Sequence, residues 1–116
     1  CKITELQGNS FPILGICQGF QLLAYLSVNY DSNALTRVHG NLRIVEPINF
    51  VSEGYLFHTL NPTQKEKLSK GNGLMYFNHN LAVTLNYFNT NIQMKNFWNL
   101  IATGITPQNE KFVSCF

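Results

Sequence analysis

The residue with the clearest chemical potential is Cys17, which has glycine two positions before it and two positions after it, in the order Gly15-Ile16-Cys17-Gln18-Gly19. Small residues at these two positions let the backbone turn sharply from a strand into a helix, as a G-x-S-x-G turn does around serine. The thiol is then presented at the helix N-terminus, where the helix dipole and unpaired backbone N–H groups favour a thiolate and can stabilise an oxyanion. We therefore predict that Cys17 is a nucleophile. The alternative is a buried structural cysteine beside two incidental glycines.

A cysteine nucleophile commonly works with a histidine that is distant in sequence, and the chain has three histidines. His79 is the strongest candidate, because it follows a predicted strand and would lie at the same carboxyl edge of the sheet as Cys17. His39, in a polar turn, and His58, before a helix, are predicted to be surface or structural residues. The histidines are far apart and no two cysteines have CxxC spacing, so we expect no metal site.

The elements that would position Cys17 and His79 follow from short apolar runs and helix signals. Residues 11–16 are predicted to form a strand and residues 18–26 an amphipathic helix, which places Cys17 at their junction. Asn61-Pro62 is a good helix start. Helices are predicted over 63–69 and 92–98, and further strands over 42–46, 74–77, 99–105 and 111–116. This alternation predicts an α/β layer architecture with a mostly parallel central sheet.

The composition favours one folded domain and excludes several classes of protein. The chain has 116 residues, of which 45% are hydrophobic and 12% charged, enough to bury a core. Its net charge of +2 is too small for a nucleic-acid binder, and Lys65, Lys67 and Lys70 are predicted to form a solvated helix face. No apolar run reaches the length of about 18 residues that a membrane span needs.

The sequence around Cys17 resembles the nucleophile elbow of the gamma-glutamyl hydrolases, members of the class I glutamine amidotransferase-like superfamily. The resemblance is carried by FPILGICQGFQLL at residues 11–23, PINF at 47–50, Asn78-His79, and NFWNLIAT at 96–103 before a final strand. It implies a flavodoxin-like three-layer α/β fold with a mostly parallel central sheet. Residues 1–116 would then be a single partial domain, an internal fragment truncated at both ends.

The activity implied by the resemblance is that of a cysteine-type omega-peptidase, which hydrolyses the gamma-glutamyl bonds of folate poly-gamma-glutamates through a thioester on Cys17. Gln18 would supply one N–H of the oxyanion hole, and Gln21 and His79 would contact the substrate. His79 is not the family's catalytic base, and the alternative for Gln21 is a polar residue of the helix face. The resemblance implies no cofactor. The partner would be a small molecule, a folyl or antifolate poly-gamma-glutamate, without nucleic acid or membrane, and a homodimer is compatible with it. The implied location is the lysosome, the vacuole or outside the cell.

Two parts of the family's site do not occur in these 116 residues: the glycine-rich loop before the elbow and the Trp-His-Pro-Glu segment that carries the base. We therefore expect the 116-residue chain to be inactive alone. Two other functions stay open. One is the glutaminase domain of a synthetic amidotransferase, and the other is a non-catalytic binding domain that keeps the fold.

Overall fold

A computed structural model describes residues 13–40, 42–54, 57–70 and 75–116, and shows a mixed α and β structure. Within these ranges the helices are α1 (Gln18–Ser27), α2 (Pro62–Ser69), α3 (Leu85–Thr90) and α4 (Ile92–Phe97), with a 3₁₀ helix over Ser32–Ala34. The strands are β1 (Thr36–Arg37), β2 (Leu42–Val45), β3 (Asn49–Phe50), β4 (Tyr76–Asn78), β5 (Leu81–Ala82), β6 (Ala102–Ile105) and β7 (Lys111–Cys115).

The strands form three small sheets, and every pairing among the described residues is antiparallel. β1 pairs with β5, β2 pairs with β4, and the third sheet has the order β3-β6-β7. β6 and β7 form a hairpin, because a link as short as the one from Ile105 to Lys111 can only join antiparallel neighbours. An isolated bridge between Thr84 and Phe112 connects the segment after β5 to β7. The mostly parallel central sheet expected from the sequence is thus not seen in this part of the chain.

Most of the predicted elements are confirmed, with small shifts at their ends. The helices predicted over 18–26 and 92–98 are α1 and α4, and the strands predicted over 42–46, 99–105 and 111–116 are β2, β6 and β7. The strand predicted over 74–77 is β4, and residue 74 lies outside the described residues. Helix α3 and the two-residue strands β1, β3 and β5 were not predicted.

The strand predicted over residues 11–16 is not found in its described part, and residues 11 and 12 lie outside the description. A strand exists through hydrogen bonds to a neighbour, and no described strand pairs with residues 13–16. Ile13, Leu14 and Ile16 are each more than half exposed. The segment therefore enters α1 as a chain without regular structure rather than as a sheet member.

Helix α2 begins as its sequence predicts. The Asn61 side chain accepts a hydrogen bond from Gln64 N–H, and the Gln64 side chain accepts one from Asn61 N–H, each at 2.9 Å. This is a capping box, with Pro62 at the first helical position. Helix α2 buries none of its residues, and Lys65 and Lys70 form ion pairs with Glu53 and Glu66. The prediction of a solvated, lysine-bearing helix face is confirmed.

Two clusters of buried side chains make up the core, and a layer of strand residues lies between them. The first cluster contains Ala24, Val28, Ala34, Val83, Phe88, Met94 and Val113. The second contains Val38, Ile48, Phe77, Ala82, Ala102 and Phe112. Successive residues of a strand point to opposite faces, which is why Ala82 and Val83, like Phe112 and Val113, belong to different clusters. Helix α1 lies on the first cluster, and β4 packs into the second.

None of the helices in the described ranges combines the length and the apolar character that crossing a membrane requires.

Candidate active site

Cys17 lies at the start of α1 in a strained backbone conformation. It is the N-cap residue, with φ 55° and ψ −114°, and its side chain makes no capping hydrogen bond. Residues other than glycine rarely adopt positive φ, and such strain is concentrated at functional sites. The thiol is free and exposed, so the alternative of a buried structural cysteine is wrong. The strained turn into a helix is shared with a nucleophile elbow, whose preceding strand is not seen in the described residues. The chemical role of Cys17 stays a prediction.

Gly15 is required by a close contact with the first two turns of α1. A Cβ atom at Gly15 would lie 2.6 Å from the Gly19 carbonyl oxygen and 2.6 Å from Leu23 Cδ1, which is closer than such atoms can approach. Gly19 N–H also donates to Ile16 O at 2.9 Å and holds the bend closed. A Cβ at Gly19 would meet no described atom within 4 Å. The described contacts therefore explain the first glycine of the motif but not the second.

Gln18 is the first residue of α1, and its side chain is exposed. Backbone N–H groups in the first turn of a helix have no carbonyl four residues earlier to bond within the helix. The first turn of α1 contains no acidic residue, so no carboxylate of that turn offsets the positive end of the dipole. Both features suit an oxyanion donor, the role predicted for the N–H of Gln18.

Gln21 and His79 meet at one backbone oxygen, the carbonyl of Leu81. Gln21 Nε2–H donates to Leu81 O at 2.8 Å, and His79 Nδ1 lies 3.0 Å from the same oxygen. Gln21 is one helical turn after Cys17, and its N–H donates to Cys17 O at 3.1 Å. Helical side chains lean toward the N-terminus of their helix, so Gln21 brings the His79 segment toward the Cys17 end of α1.

His79 has a defined tautomer in this arrangement. A carbonyl oxygen can only accept, so Nδ1 carries the proton and Nε2 carries the lone pair of the neutral ring. Burial lowers the pKa of His79 below 6.5, and the hydrogen bond to Leu81 opposes this shift. Phe77 and Phe112 pack edge-on against the imidazole, with ring centroids at 5.8 and 5.5 Å. His79 is therefore a neutral hydrogen-bond acceptor at neutral pH.

The other two histidines are surface residues, as the sequence predicted. The exposed His39 donates its backbone N–H to Glu110 Oε2 at 2.7 Å, and its Nδ1 lies 3.3 Å from Glu110 Oε1. His58 is also exposed. The pKa of Glu110 is lowered, chiefly by the hydrogen bond from the backbone of His39. This pair joins the residues after β1 to the residue before β7.

Leu81 and Phe112 are parts of the site that the sequence did not reveal. Leu81 contributes only a backbone oxygen, and every residue has one, so its type carries no signal. Phe112 is almost fully buried, and its apolar character predicts a core position but not a neighbour. Gly104 makes room for its ring, since a Cβ atom there would overlap Phe112 Cζ. Alternation in the last strand could have suggested only that Phe112 faces inward.

One cavity in the described part of the chain does not involve the candidate site residues. A cavity of about 210 Å³ is lined by Phe50, Val51, Ser52, Glu53, Phe57 and Lys65. None of Cys17, Gln21 and His79 lines it. Nor do three or more histidine, cysteine or acidic side chains come together as metal ligands within the described ranges.

Three curated proteins of Arabidopsis thaliana are similar to this chain. Gamma-glutamyl hydrolase 2 is 29% identical over 111 residues, gamma-glutamyl hydrolase 1 is 28% identical over 112, and probable gamma-glutamyl hydrolase 3 is 25% identical over 112. Each alignment covers 92% of this chain but 31% of the relative, so the chain spans about a third of the length of these proteins. No protein-family model matches the sequence. The similarity is distant, extends over most of the chain, and supports a related hydrolase function.

Proposed function

We propose that this chain carries the nucleophile of a gamma-glutamyl hydrolase, which cleaves folate poly-gamma-glutamates. The observation that carries the proposal is the conformation of Cys17, an exposed cysteine held at φ 55° directly before a helix. Strain of this kind persists only where surrounding structure enforces it. Gly15 permits this turn, because a Cβ atom there would clash with Gly19 O and Leu23 Cδ1. The distant similarity to gamma-glutamyl hydrolases supports a gamma-glutamyl bond as the target of this nucleophile.

The reaction has two steps, both of which pass through the Cys17 sulfur. The thiolate attacks the gamma-carbonyl carbon, the carbon–nitrogen bond breaks, and the released amine of the leaving glutamate takes up a proton. The resulting thioester is then attacked by water, which gives a free gamma-carboxylate and regenerates the thiol. The oxyanion that forms in each step would be stabilised by the N–H of Gln18 at the head of α1. Because the thiolate of Cys17 is itself the nucleophile and no redox change occurs, the proposed steps use no cofactor.

His79 would act on the substrate and not on the thiol. Its Nδ1–H bonds to Leu81 O, which fixes the orientation of the ring that would contact the glutamyl chain. Its lowered pKa keeps the ring neutral at neutral pH. The 116 residues contain no His-Pro dipeptide, so a base of the Trp-His-Pro-Glu type is not among them.

The complete enzyme would have the α/β fold of the glutamine amidotransferases, with a parallel central sheet that includes residues 13–16. Ile13 and Leu14 would face opposite sides of such a strand, and both are exposed in the described structure. Residues that are apolar on both sides are typical of an interior strand of a parallel sheet. We place such an enzyme in the lysosome, the vacuole or outside the cell, where the family acts.

The test uses protein expressed from the complete open reading frame, incubated separately with a folate polyglutamate and with free glutamine. We expect shortened folates and released glutamate from the first substrate and no ammonia from the second. In the Cys17→Ala variant turnover should disappear. Rapid quenching followed by mass spectrometry should detect a glutamyl adduct on the peptide that contains Cys17.

Each contrary outcome has a distinct meaning. Ammonia from glutamine, with the polyglutamate intact, would identify a glutaminase and reject the proposed substrate. Full activity in Cys17→Ala would reject the nucleophile. Inactivity towards both substrates, together with tight binding of the polyglutamate, would identify a non-catalytic binding domain.

A further inference from the structure

The carbonyl of Leu81 is available to side chains because of how β5 is paired. Val38 N–H donates to Asn80 O at 2.9 Å, and the neighbouring residues Arg37 and Leu81 lie opposite each other in the β1–β5 ladder. Hydrogen-bonded and non-hydrogen-bonded pairs alternate along an antiparallel ladder. The Leu81 carbonyl is therefore directed away from β1. Such an outward-facing backbone oxygen is free of ladder pairing and can accept hydrogen bonds from side chains.

Two side-chain donors converge on this oxygen from opposite sides of the core. Gln21 belongs to α1, which packs on the first cluster through Ala24 and Val28. His79 packs on the second cluster, against Phe77 and Phe112. A carbonyl oxygen has two lone pairs, so it can accept both bonds at once. The Leu81 oxygen thus joins the helix that begins at Cys17 to the segment that carries His79.

The packing contacts of α1 lie mostly on the side of the first cluster, and Phe20 of α1 also stacks on Phe116 just after β7. The helix packs mainly on α4 and the 3₁₀ helix, which belong to the same side of the strand layer as the first cluster. Residues 82–83 and 112–113 form the layer between the clusters, and His79 lies against Phe112 beyond it. The hydrogen bond from Gln21 to the Leu81 carbonyl crosses this boundary and joins α1 directly to the segment of His79.

We infer that Gln21 is a positioning residue, which fixes the separation of His79 from Cys17 by bonding α1 to the Leu81 carbonyl. The inference deepens the proposed function, and its kinetic part rests on that function, whereas its geometric part does not. Because the Gln21 amide is committed to Leu81, it is oriented by the protein itself. It acts on the site through His79 and not by touching the reacting atoms.

The geometric test measures the Cys17–His79 separation in solution. A nitroxide is attached to Cys17 in a protein whose other two cysteines are replaced by serine, and the broadening of the His79 imidazole resonances is recorded. Gln21→Met keeps the length of the side chain and removes the N–H donor. Gln21→Glu also removes the donor, because an ionised carboxylate can only accept hydrogen bonds. Gln21→Lys restores an N–H donor of similar reach. Gln93→Met, on the exposed face of α4, is the matched control.

We expect strong broadening in the parent, the control and Gln21→Lys, and clear loss of broadening in Gln21→Met and Gln21→Glu. The ring contacts of His79 with Phe77 and Phe112 should persist in all of them, which separates positioning from unfolding. In the unlabelled complete enzyme, kcat/KM should fall by about two- to tenfold in Gln21→Met, the range for one uncharged hydrogen bond, and recover in Gln21→Lys.

Unchanged broadening in both donor-free variants would overturn the inference. A fall in kcat/KM with unchanged broadening would also overturn it, because Gln21 would then act by contacting the substrate. An inactive parent enzyme would reject the proposed function, and the broadening would still decide whether Gln21 positions His79.

Discussion

The two glycines that flank Cys17 should respond in opposite directions to the same substitution. In Gly15→Ala the new methyl group would lie 2.6 Å from Gly19 O and 2.7 Å from the Gly19 carbonyl carbon, so it presses on backbone atoms. These atoms belong to the first turn of α1 and can move only if that turn moves. In Gly19→Ala the methyl group would meet no described atom within 4 Å. Both variants add the same methyl group, and only the methyl group at position 15 clashes with neighbouring atoms.

The magnitudes follow from these contacts. Forcing an extra methyl group into filled space costs about 1–3 kcal/mol. Replacing glycine by alanine within a helix gains up to about 1 kcal/mol, because the unfolded chain loses conformational freedom. The free energies of unfolding of the two variants should thus differ by about 1–4 kcal/mol. With urea m values of about 1–3 kcal/mol/M, this corresponds to midpoints about 0.3–4 M apart.

Equilibrium urea unfolding, followed by circular dichroism and by the fluorescence of the single tryptophan, is the appropriate assay. Trp98 is a suitable reporter because its Nε1–H donates to Ser27 Oγ at the C-terminal end of α1, at 2.9 Å. Thiol labelling of Cys17 gives a second readout, since a displaced bend should change its rate in Gly15→Ala. Equal stability of the two variants, or a Gly15→Ala protein more stable than the parent, would refute the steric argument.

Two further predictions concern the cap of α2 and the titration of His79. Asn61→Ala should lower the free energy of unfolding by about 1 kcal/mol and speed hydrogen exchange of the Gln64 amide. Asn61→Asp keeps an acceptor, so its stability and its exchange rate should stay close to those of the parent. Unchanged exchange in the alanine variant would exclude the cap. Because burial holds the pKa of His79 below 6.5, the unfolded chain binds more protons just below that pH, and stability should fall as pH drops through this window. The paired carboxylates titrate at lower pH and do not contribute in this window. The difference in urea midpoint between about pH 7.5 and about pH 5.5 should therefore be smaller in His79→Gln than in the parent. An equal pH response in both proteins would contradict the lowered pKa of His79.

The local features of this protein could be predicted from its sequence because they depend on neighbours in the chain. The start of α2 needed only the Asn61-Pro62 pair and Gln64 three residues on. The bend at Cys17 needed a small residue at position 15 and an apolar helix after it. The candidate site residues at the head of α1, whose chemical role stays a prediction, were identifiable for the same reason.

Tertiary structure decided the remaining features, since they depend on residues far apart in sequence. Gln21 and Leu81 are separated by 60 positions, and their bond uses a backbone oxygen that has no residue-specific signature. The antiparallel pairing of β2 with β4 joins residues separated by the whole of α2, and alternation in a strand does not name its partner. The sequence by itself therefore determined that a helix begins at Cys17. Packing decided that Gly15 is the glycine with no room for a side chain, and that His79 is joined to α1 through the Leu81 carbonyl.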